Sequence, residues 1–355
     1  MTNTAKYVGL DVHQATTVFC VRDERGHVLW RGVVATDATA LVELCRSLRG
    51  RVCVALEEGT QAQWLHDLLT PVVEQVIVCD RRGAASHGNK ADHSDAAELA
   101  DLLRCGRLRA VYHGGPERQA LKEFARTYLN VRDDTTRVML RLKALFRARG
   151  IRTPGRAVYR PDRRGEWLVQ LADVGVRFRA EMLYTELALL QDLRPKAKRA
   201  LITAAQRDPA WPVLRAIPYL GPVRVALLLA TLQTPWRFRT KRQLWAYVGL
   251  AVVTRVSAEY ELEGGRAVRR QRRPPTTRGL NRNHNRIAKD VFKGAATAAA
   301  TRPGPLQDYY QAMLTRGMRP ELARVTLTRK LAALVLRLWK TGEVYDPAQL
   351  GVQAS

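Results

Sequence analysis

Along residues 6–35 apolar and polar positions alternate with the period of strands, and Tyr7–Asp11, Thr17–Arg22 and His27–Val34 each read as one. The polar, glycine-containing stretch Asp23-Glu24-Arg25-Gly26 supplies a hairpin turn between the second and third. Thr36 or Asp37 can cap a helix running to about Leu48, because Leu41, Leu44 and Cys45 fall on one face. The unbroken apolar run Val52–Leu56 predicts a buried strand. A helix is expected over Gln61–Leu69, and a second buried strand over Val76–Cys79. A further helix is expected from Asp92 to Arg104, stopped by Gly106.

The pattern then changes to long helical periods. Residues 116–150 set Leu121, Phe124, Tyr128, Val131, Val138, Leu140, Leu142 and Leu145 among many charges. After Thr153-Pro154-Gly155 a second long helix is expected from Trp167 to about Leu193. Two such helices around a short break make an antiparallel arm or coiled coil, or a helical spacer packed on a domain. A third region opens near Trp211, where Leu214–Val223 leads into the apolar helix Val225–Leu232. Gly221 at the head of that helix lets backbone N–H groups face a phosphate, as in helix–hairpin–helix modules. An ordinary Pro/Gly turn between two core helices reads equally well. Helices near Leu306–Leu314 and Glu321–Trp339 close the chain. The expected organisation is an α/β domain over 1–112, a helical coiled-coil linker over 113–208 and a mainly helical domain over 209–355. Hairpin strands followed by strand–helix units predict a mixed sheet with helices on its faces, the order of elements in the ribonuclease-H/RuvC-like fold.

Charge separates the first region from the rest. The 355 residues carry a net +26, yet residues 1–112 sum to −1 and the remainder to +27. Arg-rich composition is common in high-GC bacteria, but that does not explain a polarity between segments. The polarity points to a polyanionic partner for the basic two-thirds. Its densest stretch holds Arg266, Arg269, Arg270, Arg272, Arg273, Arg278, Arg282, Arg286 and Lys289 with no acid between them. A solvated loop is the plain alternative, but cations at this density repel one another unless a polyanion is present. No apolar run approaches the ~20 residues that span a bilayer, so no membrane role is expected. The first residues lack a basic-then-apolar leader, so export is not expected either. Five cysteines without a C-x-x-C pair read as reduced thiols of a cytoplasmic protein.

Four carboxylates in the near-neutral region carry the candidate chemistry. Asp11 closes the first strand, Glu57 closes Val52–Leu56, and Asp92 and Asp95 lie three apart on one helix face. Phosphoryl transfer with divalent metal needs hard oxygen ligands gathered about ~4 Å from a shared centre. Acids at the ends of neighbouring strands can converge in that way. Glu58 and Asp80 are rivals for a ligand role, and each acid can equally be a turn or cap residue.

The motifs Val8-Gly9-Leu10-Asp11-Val12-His13, Leu56-Glu57-Glu58-Gly59-Thr60 and Lys90-Ala91-Asp92-His93-Ser94-Asp95-Ala96 resemble the DEDD motifs of the insertion sequence 110 transposases, relatives of the Piv invertases. Ile217-Pro218-Tyr219-Leu220-Gly221-Pro222, Leu244–Leu250, Thr276–Asn281 and Asp308-Tyr309-Tyr310 with Arg316-Gly317 continue the resemblance through the C-terminal half. It implies a RuvC-like catalytic domain, a coiled-coil linker and a C-terminal transposase domain. It further implies Mg²⁺ (or Mn²⁺) held by Asp11, Glu57, Asp92 and Asp95, and a serine nucleophile matching Ser257. Thr254 is the rival hydroxyl. In this chain Ala258–Glu263 separates Ser257 from Gly264-Gly265-Arg266, where many relatives keep serine close to the glycines. The implied partners are donor and target DNA, a non-coding bridge RNA and further copies of the chain, as a dimer or dimer of dimers. The expected setting is the bacterial cytoplasm, at the nucleoid during action. The competing readings are a RuvC-like junction nuclease that uses activated water, and a non-catalytic nucleic-acid-binding protein.

Overall fold

A computed structural model describes residues 4–80, 92–255, 259–263, 266–270 and 276–347. It forms two compact units, Met1–Gly114 and Gly115–Ser355.

The first unit is built on a five-stranded sheet. Strands β1 (Ala5–Val12), β2 (Thr16–Arg22) and β3 (Val28–Ala35) follow one another antiparallel; β4 (Arg51–Glu57) and β5 (Gln75–Cys79) add parallel on the other side of β1. The order across the sheet is β3-β2-β1-β4-β5. Helices α1 (Ala38–Ser47) and α2 (Ala62–Leu69) connect the later strands, and α3 (Asp92–Arg104) follows β5. This is the mixed RNase H-like sheet that the alternation predicts. Local chemistry sets the boundaries: the Asp37 carboxylate accepts from the Ala40 N–H at 2.9 Å to start α1. Gly26, at φ +92°, turns β2 into β3.

Period-two alternation gives the sheet two chemically different faces. Val8, Leu10, Phe19, Val21, Val54, Leu56 and Val78 pack with Leu41 and Leu44 of α1 and with Leu65 and Leu69 of α2. Each completely buried leucine here contributes roughly 2 kcal/mol, so this face supplies much of the unit's stability. The opposite face is lined by small residues, and α3 lies on it. Val18 and Cys20 meet Ala96, and Cys53 and Ala55 meet Leu103. At Gly9 the approach is backbone to strand. A Cβ there would fall 2.1 Å from the Ala96 carbonyl oxygen and 2.6 Å from the Ala100 nitrogen.

Two arginines fix the direction of α3. Arg22 donates to the Ala97 carbonyl at 3.2 Å, and Arg104 to the Glu24 carbonyl at 3.4 Å, beside the β2–β3 turn. The start of α3 therefore lies over the far end of β1, where Ala96 packs on Val18, the cross-strand partner of Asp11.

In the second unit α4 (Pro116–Arg147) and α6 (Val174–Ala205) are the two long helices, with the short α5 (Arg164–Leu168) between them. At 32 residues each, they span about 48 Å at 1.5 Å per residue. Their distal halves share a core of Val138, Leu142 and Phe146 with Leu183, Tyr184 and Leu187. At the other end Leu121, Ala125, Leu129, Leu201 and Ala205 join the core of the remaining helices. The second long helix differs from the expectation at both ends. It begins at the Asp173 cap and continues through Pro195 to Ala205. A proline inside a helix costs about 3 kcal/mol, and burial of Leu201 and Ala205 in the larger core offsets it.

The larger core is formed by α7 (Trp211–Arg215), α8 (Pro222–Leu232), α9 (Lys241–Tyr247), α10 (Arg286–Thr301), α11 (Pro305–Thr315) and α12 (Pro320–Thr341). Helix α8 is apolar on nearly every side and is buried from Val225 to Ala230. Between α9 and α10 the chain makes two nested strand pairs. The outer pair is β6 (Val252–Arg255) with β9 (Thr276–Leu280), and the inner is β7 (Glu259–Glu263) with β8 (Arg266–Arg270). The basic stretch is thus largely secondary structure, with five of its cations on strands β8 and β9 or opening α10: Arg266, Arg269, Arg270, Arg278 and Arg286. Glu263 stands opposite Arg266 and Glu259 opposite Arg270. Among the described residues no helix is long and apolar enough to cross a membrane.

Candidate active site and nucleic-acid surface

Asp11 is the penultimate residue of β1, and Glu57 is the last of β4. Their strands pair in parallel with Leu10 opposite Leu56, so the next step along the sheet sets Asp11 beside Glu57. Adjacent strands lie about 4.8 Å apart. Parity settles which way the two side chains go. Asp11 shares a face with Gly9, and Glu57 with Cys53 and Ala55, which is the face covered by α3. Helix α3 brings its first turns to this end of the sheet, with Asp95 half-buried one residue before Ala96. Asp92 is the first residue of α3, and its side chain lies outside the described residues. Asp11 Oδ2 also meets His13 Nε2 at 3.3 Å. Among the described residues no set of three or more His, Cys, Asp or Glu forms a metal-binding group.

Glu58 goes the other way. Its backbone N–H donates to the Cys79 carbonyl at 2.9 Å. Its carboxylate meets Nε2 of His113 at 3.0 Å, on the side occupied by α2. His113 arrives there because Val111 N–H donates to the Val78 carbonyl at 2.7 Å, and Ala110 bridges Cys79 antiparallel, which ties the chain leaving α3 to β5. Asp80 directly follows β5 and is half-buried. Nothing in the sequence marks His113, because its partners lie 50 and 55 positions away and belong to no spaced motif.

In the second unit the Ile217–Gly221 hairpin forms one wall of an open pocket of about 530 Å³. Arg215, Arg224 and Arg302 line it, and none of its ten lining residues is acidic. Arg224 donates to the Tyr219 carbonyl at 2.8 Å, and Arg215 to the Leu220 carbonyl. These bonds hold Tyr219 in the left-handed region at φ +64°, rare for a non-glycine residue. Burial, reinforced by the charge of Arg302, pulls the Arg224 guanidinium below its ordinary value. Lys289 is likewise lowered, by burial first and then by Lys293. Arg282 and Arg286 are exposed. Ser257, Arg272 and Arg273 lie outside the described residues, as do the side chains of Arg266, Arg269, Arg270 and Arg278. The rival hydroxyl, Thr254, is exposed on β6 opposite Thr277.

An RNase H-like sheet with acids at adjacent strand ends, joined to a basic helical unit, describes the DEDD class of transposases. Two family models place the chain within that class. The DEDD transposase model of the IS110 type matches residues 8–148, and the model described as Transposase IS116/IS110/IS902 family matches residues 212–274. The chain belongs to the IS110 family of transposases, enzymes that cut DNA. No curated protein matches it.

Proposed function

We propose that this protein is the recombinase of an insertion sequence, which cuts and rejoins DNA through a serine nucleophile and a metal-holding acid cluster under the guidance of a bridge RNA. One observation carries the reading: Asp11 and Glu57 are neighbours in register on the same sheet face, beneath the start of α3. Two carboxylates so placed repel one another, and a cation between them relieves that repulsion. The donors are hard carboxylate oxygens, which suit Mg²⁺ or Mn²⁺. Asp11, Glu57, Asp92 and Asp95 are the residues that would hold it. A divalent ion bound there supplies Lewis-acid polarisation of a phosphodiester oxygen.

The chain's own residues do the rest. The Ser257 oxygen attacks the phosphorus, and the bond from phosphorus to the departing deoxyribose oxygen breaks. A phosphoserine link forms, and the departing hydroxyl takes a proton. Attack by a hydroxyl from another strand reverses the exchange and frees the serine, so bond energy is conserved without a nucleotide cofactor. The protein acts as a dimer or dimer of dimers around paired DNA ends. Backbone phosphates of DNA and RNA are taken by the basic surface, including the arginine-lined pocket at the Ile217–Gly221 hairpin, while guide pairing carries sequence specificity.

The test is Ser257→Ala with guide RNA and a nicked donor duplex. The variant assembles the complex but yields neither a slow covalent band on a denaturing gel nor recombinant product. A covalent band that persists in Ser257→Ala removes the serine. Free-ended cleavage at the normal rate replaces this reading with a junction hydrolase. Absence of any metal-dependent cleavage in the unaltered protein leaves a non-catalytic binding protein.

A further inference from the structure

The side chain of His113, beside Glu58, is only 3% accessible. It is held on three sides. Nε2 meets Glu58 Oε2 at 3.0 Å, Nδ1 meets Gln63 Oε1 at 2.5 Å, and the ring stacks on His66 with centroids 5.1 Å apart and planes 21° apart. The partners are themselves fixed. Gln63 donates its amide N–H to Asp67 Oδ1 at 2.9 Å, which turns its carbonyl toward His113. His66 Nδ1 reaches the same Asp67 oxygen at 3.1 Å. Gln63 Oε1 therefore accepts from Nδ1. The bond to the Glu58 carboxylate needs a proton on Nε2 as well, so the ring serves both partners as an imidazolium whose position is set from behind by α2.

The placement matters because Glu57 and Glu58 are consecutive acids at one strand end, and only alternation separates them. A one-residue slip of register at this strand end would exchange the faces of the two carboxylates. Glu58 is anchored on the α2 side through its carboxylate as well as its backbone, so the exchange is blocked. We infer that His113 is a positioning residue that commits Glu58 to the α2 face and thereby fixes Glu57 as the acid that faces Asp11. This rests on the reading that Asp11 and Glu57 hold a divalent cation. His113 itself touches neither metal nor DNA.

The experiment is Mn²⁺ binding to the full-length protein without nucleic acid, followed by the paramagnetic signal of free Mn²⁺. His113→Phe keeps the ring stack and removes both hydrogen bonds. It weakens Mn²⁺ binding by about tenfold, the usual cost of losing a residue that orients a ligand. Adding Glu58→Gln to His113→Phe restores much of that affinity, since the competing carboxylate is gone. A merely structural histidine would give no such rescue. Unchanged Mn²⁺ affinity in a folded His113→Phe protein overturns the inference, as does a loss that Glu58→Gln leaves untouched. Should His113→Phe fail to fold, Gln63→Leu removes only the Nδ1 bond, and the same pair of outcomes applies to it. The underlying reading fails separately: Mn²⁺ binding unaffected by both Asp11→Ala and Glu57→Ala removes the metal site itself.

Discussion

Asp11 and Glu57 stand side by side at the ends of β1 and β4, whereas Glu259 and Glu263 face Arg270 and Arg266 across β7 and β8. The two regions handle charge in opposite ways. In the inner hairpin the register sets acidic positions opposite basic ones. At the strand ends like charges meet, on the sheet face with the least side-chain bulk. The first arrangement stabilises a fold; the second costs stability unless something binds. The comparison separates the two regions by register, not by the number of charges, and the proposed metal site is the one where like charges adjoin. The basic stretch is the more extreme in composition, yet two of its arginine positions pair in register with Glu259 and Glu263.

The strongest way to break the comparison is to remove the geometry that lets α3 approach. Gly9→Val would put a branched side chain into the space filled by the Ala96 carbonyl and the Ala100 nitrogen. Backbone atoms cannot rotate away, so the change should cost about 3 kcal/mol or more. A urea melt of the variant should show the first unit unfolding early, with loss of Mn²⁺ binding. A melt equal to that of the unaltered protein would mean that α3 does not rest on β1.

Next in size is the contrast between the neighbouring glutamates. Glu57→Gln and Asp11→Asn should each lower strand cleavage by on the order of a thousandfold, equivalent to several kcal/mol of lost electrostatic stabilisation. Glu58→Gln keeps an acceptor for His113 and should retain most of the rate. Single-turnover cleavage at saturating Mg²⁺ separates the three. An inactive Glu58→Gln beside an active Glu57→Gln would reverse the assignment of faces.

Much of the first unit was legible in the sequence. Each expected strand and helix lies within about two residues of its observed span, because alternation, an Asp cap and glycine stops all agree there. Alternation also separates Glu57 from Glu58 by sheet face, but only the observed register of β1 with β4 puts Glu57 on the face of Gly9 and Asp11. Other features were hidden for physical reasons. Strands β7 and β8 are masked in the sequence by charge, and only their mutual register reveals the balance. Helix α6 passes Pro195, where local propensity argues for a stop and burial of Leu201 decides otherwise. His113 acts through tertiary contacts alone.

A smaller effect should distinguish field from site in the basic unit. Each phosphate contact contributes about 0.9 to the slope of log K against log salt. Changing Arg269, Arg270, Arg272 and Arg273 together to Ala should therefore flatten the slope by up to about 3.6 for RNA or DNA. Arg224→Met with Arg302→Ala should lower the slope by no more than about 2. Fluorescence anisotropy across a salt series measures both. An unchanged slope in the fourfold variant would make the stretch a structural hairpin and leave the helical unit as the binding surface.

The smallest effect tests whether the acid cluster is as local as its geometry implies. Asp37 caps α1, and α1 packs through Leu41 and Leu44 on the sheet face opposite Asp11 and Glu57. Asp37→Ala removes one capping bond and should cost about 1 kcal/mol of stability in the first unit. Well below the melting transition the sheet still holds its register, so Mn²⁺ affinity and the salt slope should both stay at their unaltered values. Thermal denaturation followed by circular dichroism reads the first quantity, and Mn²⁺ titration reads the second. A drop in Mn²⁺ affinity at a temperature where the variant is fully folded would mean that α1 transmits through the sheet to the acids. The two faces would then be energetically coupled, and register alone would no longer account for the site.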